Sequence, residues 1–124
     1  MASVNVKSAE FDALISTNGT VFVDFWAEWC GPCKMFGPVY EKVSADFPDI
    51  VFAKIDTEAE REIAGAAGIT SIPTLMAFRD GILLFRQPGA LAEPQLRELI
   101  ASIKDVDMDE IRAQIAKEAT EPTK

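Results

Sequence analysis

The chain of 124 residues contains no histidine at all. That absence removes the Ser-His-Asp and Cys-His nucleophile arrangements, His-ligated haem and most catalytic zinc sites together. Cysteine is nearly absent as well, with only Cys30 and Cys33 present. Two thiols are too few for a four-cysteine metal site, no histidine is present to complete one, and Lys34 after Cys33 breaks the CxxCH pattern of haem attachment. Long apolar runs are also missing. The longest uncharged stretch, Ile63 to Phe78, is 16 residues and includes Gly, Thr, Ser and Pro, so no membrane span is expected. Basic charge is scarce: 12 Lys and Arg stand against 20 Asp and Glu, a net charge of −8. Such a field repels phosphate backbones and anionic lipid, so neither nucleic acid nor a membrane surface is an expected partner. The first residues, MASVNVKSAEFD, carry Lys7, Glu10 and Asp12 where a secretory signal needs an unbroken apolar segment, which predicts a cytoplasmic protein.

What is present is ordinary for a globular chain, with 48% apolar and 26% charged residues and a length suited to one domain with a real core. A monomer is the default for this surface. Val4 to Val6 reads as a short strand, and Ser8 as the N-cap of a helix with Phe11, Leu14 and Ile15 on one face. TVFVDFWAEW is β-branched and aromatic on both alternating faces, the pattern of a central strand covered on both sides. At WCGPC the period changes. Val39, Tyr40, Val43 and Phe47 then recur at helical spacing until Pro48-Asp49, with Pro38 expected to kink the helix. IVFAKID is a second buried strand, and Thr57 to Glu60 reads as a capping box for a short helix ending near Ala66. Thr74 to Phe78 and ILLFRQ form an antiparallel hairpin about Arg79-Asp80-Gly81. Glu93-Pro94 opens a helix whose stripe of Leu96, Leu99, Ile100 and Ile103 faces the sheet. The order βαβαβαββα is that of an α/β protein.

A bare CxxC is a weak motif, but this one lies at the junction of a buried strand and a helix, with an IPT segment about forty residues on. On the residues VDFWAEWCGPCK, SIPTL and the Gly89-Ala90 turn, the chain resembles the thioredoxin family from Val4 to Lys104. The departures are the acidic tail, Thr70-Ser71 ahead of Ile72, Phe36 in the second helix and Pro88 before Gly89, and they bear on partner choice more than on the redox centre. The resemblance implies a thioredoxin fold, with a mixed five-stranded sheet flanked by four helices over residues 1–104. It also implies a protein-disulfide reductase with no bound cofactor. Reducing equivalents would come from NADPH through thioredoxin reductase. Implied clients are ribonucleotide reductase, peroxiredoxin and methionine sulfoxide reductase.

The chemistry of the motif follows from its placement. Cys30 at a helix N-terminus meets unpaired backbone N–H groups and the positive end of the dipole, which favour a thiolate; thioredoxin is itself a standard illustration of the lowered pKa. Cys30 is therefore the expected attacker. Cys33, one turn further in and expected to be more shielded, can close a disulfide with Cys30 and resolve a mixed disulfide. Pro32 suits the first turn, where no donor is lost. Read without the resemblance, the cysteines could be structural thiols or half of a metal site shared between chains; flanking Trp29, Gly31 and Pro32 favour redox use.

Asp24 in the middle of VFVDFW would be desolvated, with its pKa raised toward neutrality. The family role is proton exchange with Cys33; the alternative is a strand twist that lets Asp24 reach water or a hydroxyl. Lys54 in IVFAKID is a candidate partner for Asp24, or a plain edge-facing lysine. The resemblance implies a cis Ile72-Pro73 bond packed against the disulfide, its neighbouring backbone pairing with an incoming peptide; the ordinary alternative is a strand-initiating proline. Trp29, Ile72, Pro73, Gly89 and Ala90 would form a shallow apolar client-binding rim around Cys30, whereas Trp26 is read as core. Residues 105–124 hold six acids and three bases. They are expected to be an acidic extension, in which Asp107 with Glu110 could cap a helix carrying Met108, Ile111 and Ile115 on one face, ending in a frayed EATEPTK. Of the two roles for this extension, a packed amphipathic helix and a solubilising tail, the second is slightly favoured. Two rival functions stand beside the reductase. A disulfide oxidant or isomerase of the same fold is disfavoured by Gly31-Pro32, and a binding subunit would use the rim without turning over the cysteines.

Overall fold

The computed structural model describes residues 2–120. Its elements are β1 (Ser3–Asn5), a 3-10 turn (Ser8–Glu10), α1 (Phe11–Thr17), β2 (Thr20–Trp26), α2 (Gly31–Ser44), β3 (Val51–Asp56), α3 (Arg61–Ala66), β4 (Thr74–Arg79), β5 (Ile82–Pro88), α4 (Glu93–Asp105) and α5 (Met108–Thr120). The five strands form one sheet in the order β1-β3-β2-β4-β5. β1 and β2 each pair in parallel with β3, while β4 pairs antiparallel with both β2 and β5. β2 is central and buried from Val21 to Phe25, because its alternating faces are both apolar and each needs a covering layer.

Alternation along β2 divides the core into two layers. Phe22 joins Phe52, Leu75 and Ala77 beneath Phe36, Tyr40 and Val43 of α2 and Leu96, Ile100 and Ile103 of α4. Val21, Val23 and Phe25 face the other way, with Phe11, Ala53, Ile55, Met76 and Phe78, against α1 and α3. The hairpin between β4 and β5 turns through Asp80 and Gly81, with φ of 54° and 80°. Two successive left-handed residues match the twist of the flanking strands.

Several local expectations are corrected by contacts between distant segments. Ser8 does not cap α1; its Oγ accepts the Ile63 N–H of α3 at 3.2 Å, and its own N–H donates to Glu60 Oε1 at 2.8 Å. Thr57 and Glu60 form no capping box. Thr57 Oγ1 donates to the Trp26 carbonyl at 3.1 Å, and Asp56 Oδ1 accepts the Glu58 and Ala59 N–H groups at 2.9 and 3.3 Å. Asp56 at the strand end has the short reach that an Asx turn requires, while the Thr57 hydroxyl is occupied by the Trp26 carbonyl. α2 ends at Ser44, before Pro48, and Pro38 lies inside it.

The segment after α4 is helical and packed at its start. Arg79 Nη1 donates to the carbonyls of Ile103, Lys104 and Val106 at 3.1, 3.1 and 2.8 Å. Asp107 Oδ1 accepts the Glu110 N–H at 3.2 Å, Met108 is buried and Arg112 Nη1 pairs with Asp80 Oδ2 at 3.2 Å. Ile111 is half-buried and Ile115 exposed. Of the EATEPTK end, residues 118–120 complete α5 and residues 121–124 lie outside the described residues.

Candidate redox site

β2 delivers the chain through Ala27, Glu28 and Trp29 to Cys30, the N-cap of α2 with φ −88° and ψ 114°. A helix start leaves backbone donors unpaired, and one of them, the Cys33 N–H, donates to Cys30 Sγ at 3.2 Å. Cys30 and Cys33 are joined as a disulfide with Cα atoms 5.2 Å apart. Pro32 lies in the first turn of α2. The sulfurs pack in a small cluster with Ala27, against which Trp26 and Ile72 rest.

Both cysteines are 4% exposed, so the expected greater shielding of Cys33 is not seen as a difference in exposure. In the disulfide both side chains are drawn into the same sheltered junction, and the asymmetry lies in their surroundings. Cys30 Sγ is 3.7 Å from the carbonyl oxygen of Ile72, a residue that lines a cleft with Trp29. Cys33 lines a cleft of about 370 Å³ with Trp26, Lys34, Gly37, Glu41 and Lys54.

Asp24 lies on the α2 side of the sheet by the alternation that places Phe22 there. It is fully buried, and neither carboxylate oxygen has a hydrogen-bond partner among the described residues. Burial pushes its pKa from 3.8 up to about 7, and the positive field of Lys54 opposes the rise. The strand twist that would relieve Asp24 is therefore not seen. Lys54 is its register partner on β3, but no ion pair joins them among the described residues. The ammonium stands instead over the Trp26 ring, 4.8 Å from its centroid, where it is held by the π face without losing access to the cleft. Trp26, expected in the core, is half-buried at the end of β2, and its indole N–H lacks a partner among the described residues.

The Ile72-Pro73 bond is cis. The Pro73 carbonyl accepts the Gly89 N–H at 2.8 Å, which brings the two rim segments together, and Gly89 has φ of 107°, a conformation that favours glycine. Trp29 is 68% exposed and lines a cleft of about 290 Å³ with Glu58, Arg61, Thr70, Ser71 and Ile72. Ala90 belongs to a second flanking cleft of about 270 Å³ with Met35, Phe36, Val39, Leu91 and Ala92. Sequence reasoning missed Met35, 76% exposed, and Arg61. Met35 stands four residues before Val39, at the margin of the Val39-Tyr40-Val43 stripe, so helical period alone did not mark it as facing water; Arg61 carried no signal either. Among the described residues no group of three or more His, Cys, Asp or Glu is arranged to hold a metal, and no helix is long and apolar enough to cross a membrane.

Comparison with known proteins agrees with this geometry. The family described as Thioredoxin matches residues 2–105. A protein named "Putative thioredoxin 2" from Streptomyces coelicolor is 50% identical over 117 residues, which cover 94% of this chain and 87% of that protein. Among solved structures, a mutant thioredoxin from Halobacterium salinarum superposes with a TM-score of 0.77 at 35% identity, covering 86% of this chain and 95% of the other. A chain from work on the thiol resolving mechanism in yeast mitochondrial 1-Cys peroxiredoxin via glutathione/thioredoxin systems gives 0.73 at 33% identity, with coverage of 84% and 95%. With its five-stranded mixed sheet and a cysteine pair at the start of the helix that follows the central strand, this chain belongs to the thioredoxin family of disulfide oxidoreductases.

Proposed function

We propose that this chain reduces protein disulfides through Cys30 and Cys33, with Asp24 as the proton acceptor for Cys33. The observation that carries the reading is the disulfide at the N-terminus of α2, set between the Ile72 carbonyl and the cleft that holds Lys54. In the reduced protein the Cys30 thiolate, stabilised by the Cys33 N–H, attacks one sulfur of a client disulfide and expels the other as a thiolate. Cys33 gives its proton to Asp24, whose pKa near 7 suits that exchange at neutral pH. The Cys33 thiolate then attacks Cys30 Sγ and releases the client's second sulfur as a thiolate. Two electrons pass to the client, which takes up two protons, and the Cys30–Cys33 disulfide remains.

The rim of Trp29, Ile72, Pro73, Gly89 and Ala90 receives the client, with the backbone beside Pro73 available to an added strand. Residues 1–104 form the catalytic domain, acting as a cytoplasmic monomer that needs no bound cofactor. Thioredoxin reductase, drawing on NADPH, restores the dithiol. Peroxiredoxins are a client class supported by the relative from the yeast peroxiredoxin study; ribonucleotide reductase and methionine sulfoxide reductase are the further clients that the family resemblance implies.

The test is insulin reduction driven by dithiothreitol, with the native chain beside Cys30→Ser and Cys33→Ser. Catalysis by the native chain that falls to the uncatalysed rate in both variants is the expected result. A folded, fully reduced native protein without catalysis would overturn the reading in favour of a binding module.

A further inference from the structure

We propose that Arg86, on the edge strand β5, is a positioning residue that fixes the spacing of the client-binding rim. The rim is built from two segments that reach the disulfide from different elements. Residues 69–73 hang from the C-terminal end of α3, and residues 88–90 continue β5. The end of α3 is closed by its own backbone: Ile69 N–H donates to the Ala64 carbonyl at 2.9 Å and Gly68 N–H to the Gly65 carbonyl at 3.0 Å, with Gly68 at φ 66°. This Schellman pattern sets the direction in which the chain leaves the helix, but it leaves the carbonyls of Ala67 and Gly68 without helical donors.

Arg86 supplies those donors. Its Nη1 bonds the Ala67 carbonyl and its Nη2 bonds the Gly68 carbonyl at 2.8 Å. The planar fork thus grips two consecutive carbonyls, an arrangement that a flexible point charge reproduces poorly. A positive group at a helix C-terminus is favourable in its own right. Between Gly68 and the Ile72 carbonyl beside Cys30 Sγ there are only Ile69, Thr70 and Ser71. A displacement of the α3 end relative to β5 therefore passes to Ile72 along a short tether. The backbone bond from Gly89 N–H to the Pro73 carbonyl, next to the Thr74–Pro88 pair of the β4–β5 ladder, ties the far ends of the same two segments. Arg86 and that bond together close a frame around the docking surface without touching the cysteines. The inference rests on the rim being the client-binding surface.

The experiment compares native protein with Arg86→Met and Arg86→Lys in three readouts: single-turnover reduction of insulin, reaction of the reduced protein with a small aryl disulfide, and hydrogen exchange at the Gly68 and Ile69 amides. For Arg86→Met, exchange at both amides speeds up, and the rate constant with insulin falls about three- to tenfold, the scale of an ordinary solvent-exposed hydrogen bond. The small disulfide, which needs no rim, reacts at the native rate. Arg86→Lys recovers part of the insulin rate. An unchanged insulin rate, or an equal loss with both disulfides, would overturn the inference. Faster exchange in Arg86→Met beside a native protein that itself does not reduce insulin would instead overturn the function on which it rests. If Arg86→Met does not fold, a native insulin rate in Arg86→Lys decides against it.

Discussion

At the scale of single residues, Asp24 is where sequence and environment meet most directly. A carboxylate written into an apolar strand predicts desolvation, and the structure adds that neither oxygen is compensated among the described residues. The folded protein holds this proton up to about pH 7, whereas the unfolded chain releases it near 3.8. Between those values the folded state binds more protons, so stability falls as pH rises and levels off above 7. An Asp24→Asn variant lacks this loss. Its stability relative to the native protein should therefore grow by roughly 3 kcal/mol from pH 5 to pH 8 in urea titrations; a difference independent of pH would refute the assignment. Lys54 acts on the same group from the Trp26 ring. Replacing Lys54 with Met removes a field that lowers the Asp24 pKa, so the carboxyl resonance of Asp24 should titrate above its native value, and an unchanged or lower midpoint would exclude that coupling. Burial at Asp24 was legible because the pattern of a strand is local. The place taken by Lys54 was not, since the choice between a carboxylate and an indole depends on how two strands and α2 meet.

At the scale of elements, the strands and the four helices of the family match were legible from period and turn chemistry, while their ends were set by partners elsewhere. Ser8 illustrates the limit: its position invites an N-cap, yet its hydroxyl serves α3. The last helix shows the same limit more strongly. Its composition reads as a solvated tail, but Met108 is buried and Arg79 binds three carbonyls at the corner between α4 and α5. Removing the Arg79 donors in Arg79→Met should cost roughly 1–2 kcal/mol, and Met108→Ala about 2–3 kcal/mol, both read from denaturant midpoints. Ending the chain at Asp105 should cost at least as much as the Met108 change while leaving reaction with small disulfides intact; a native midpoint in that shortened chain would mark α5 as a passive appendage.

For the whole molecule, one sheet is shared by two apolar layers, so cooperativity runs through the strands while the layers do not touch. Leu96 of α4 lies in one layer and Phe11, packed on Phe78 of β4, in the other. Leu96→Ala and Phe11→Ala should each cost about 3 kcal/mol, and their double variant the sum within about 0.5 kcal/mol; a coupling energy above about 1 kcal/mol in the double-mutant cycle would show that the layers communicate. The sequence by itself determined the alternation that makes β2 central, the strand-to-helix junction that carries Cys30 and Cys33, and the turn at Asp80-Gly81. These depend on side-chain period and on backbone preferences of neighbouring residues, which are written within a few positions. Only the tertiary structure decided that Arg86 grips the end of α3, that Arg79 closes the α4–α5 corner, that Lys54 rests on Trp26 and that Met35 borders the rim. The physical reason is that a charged or flexible side chain has many partners of similar energy, and the one it takes is fixed by which distant backbone groups the finished fold leaves unpaired within its reach.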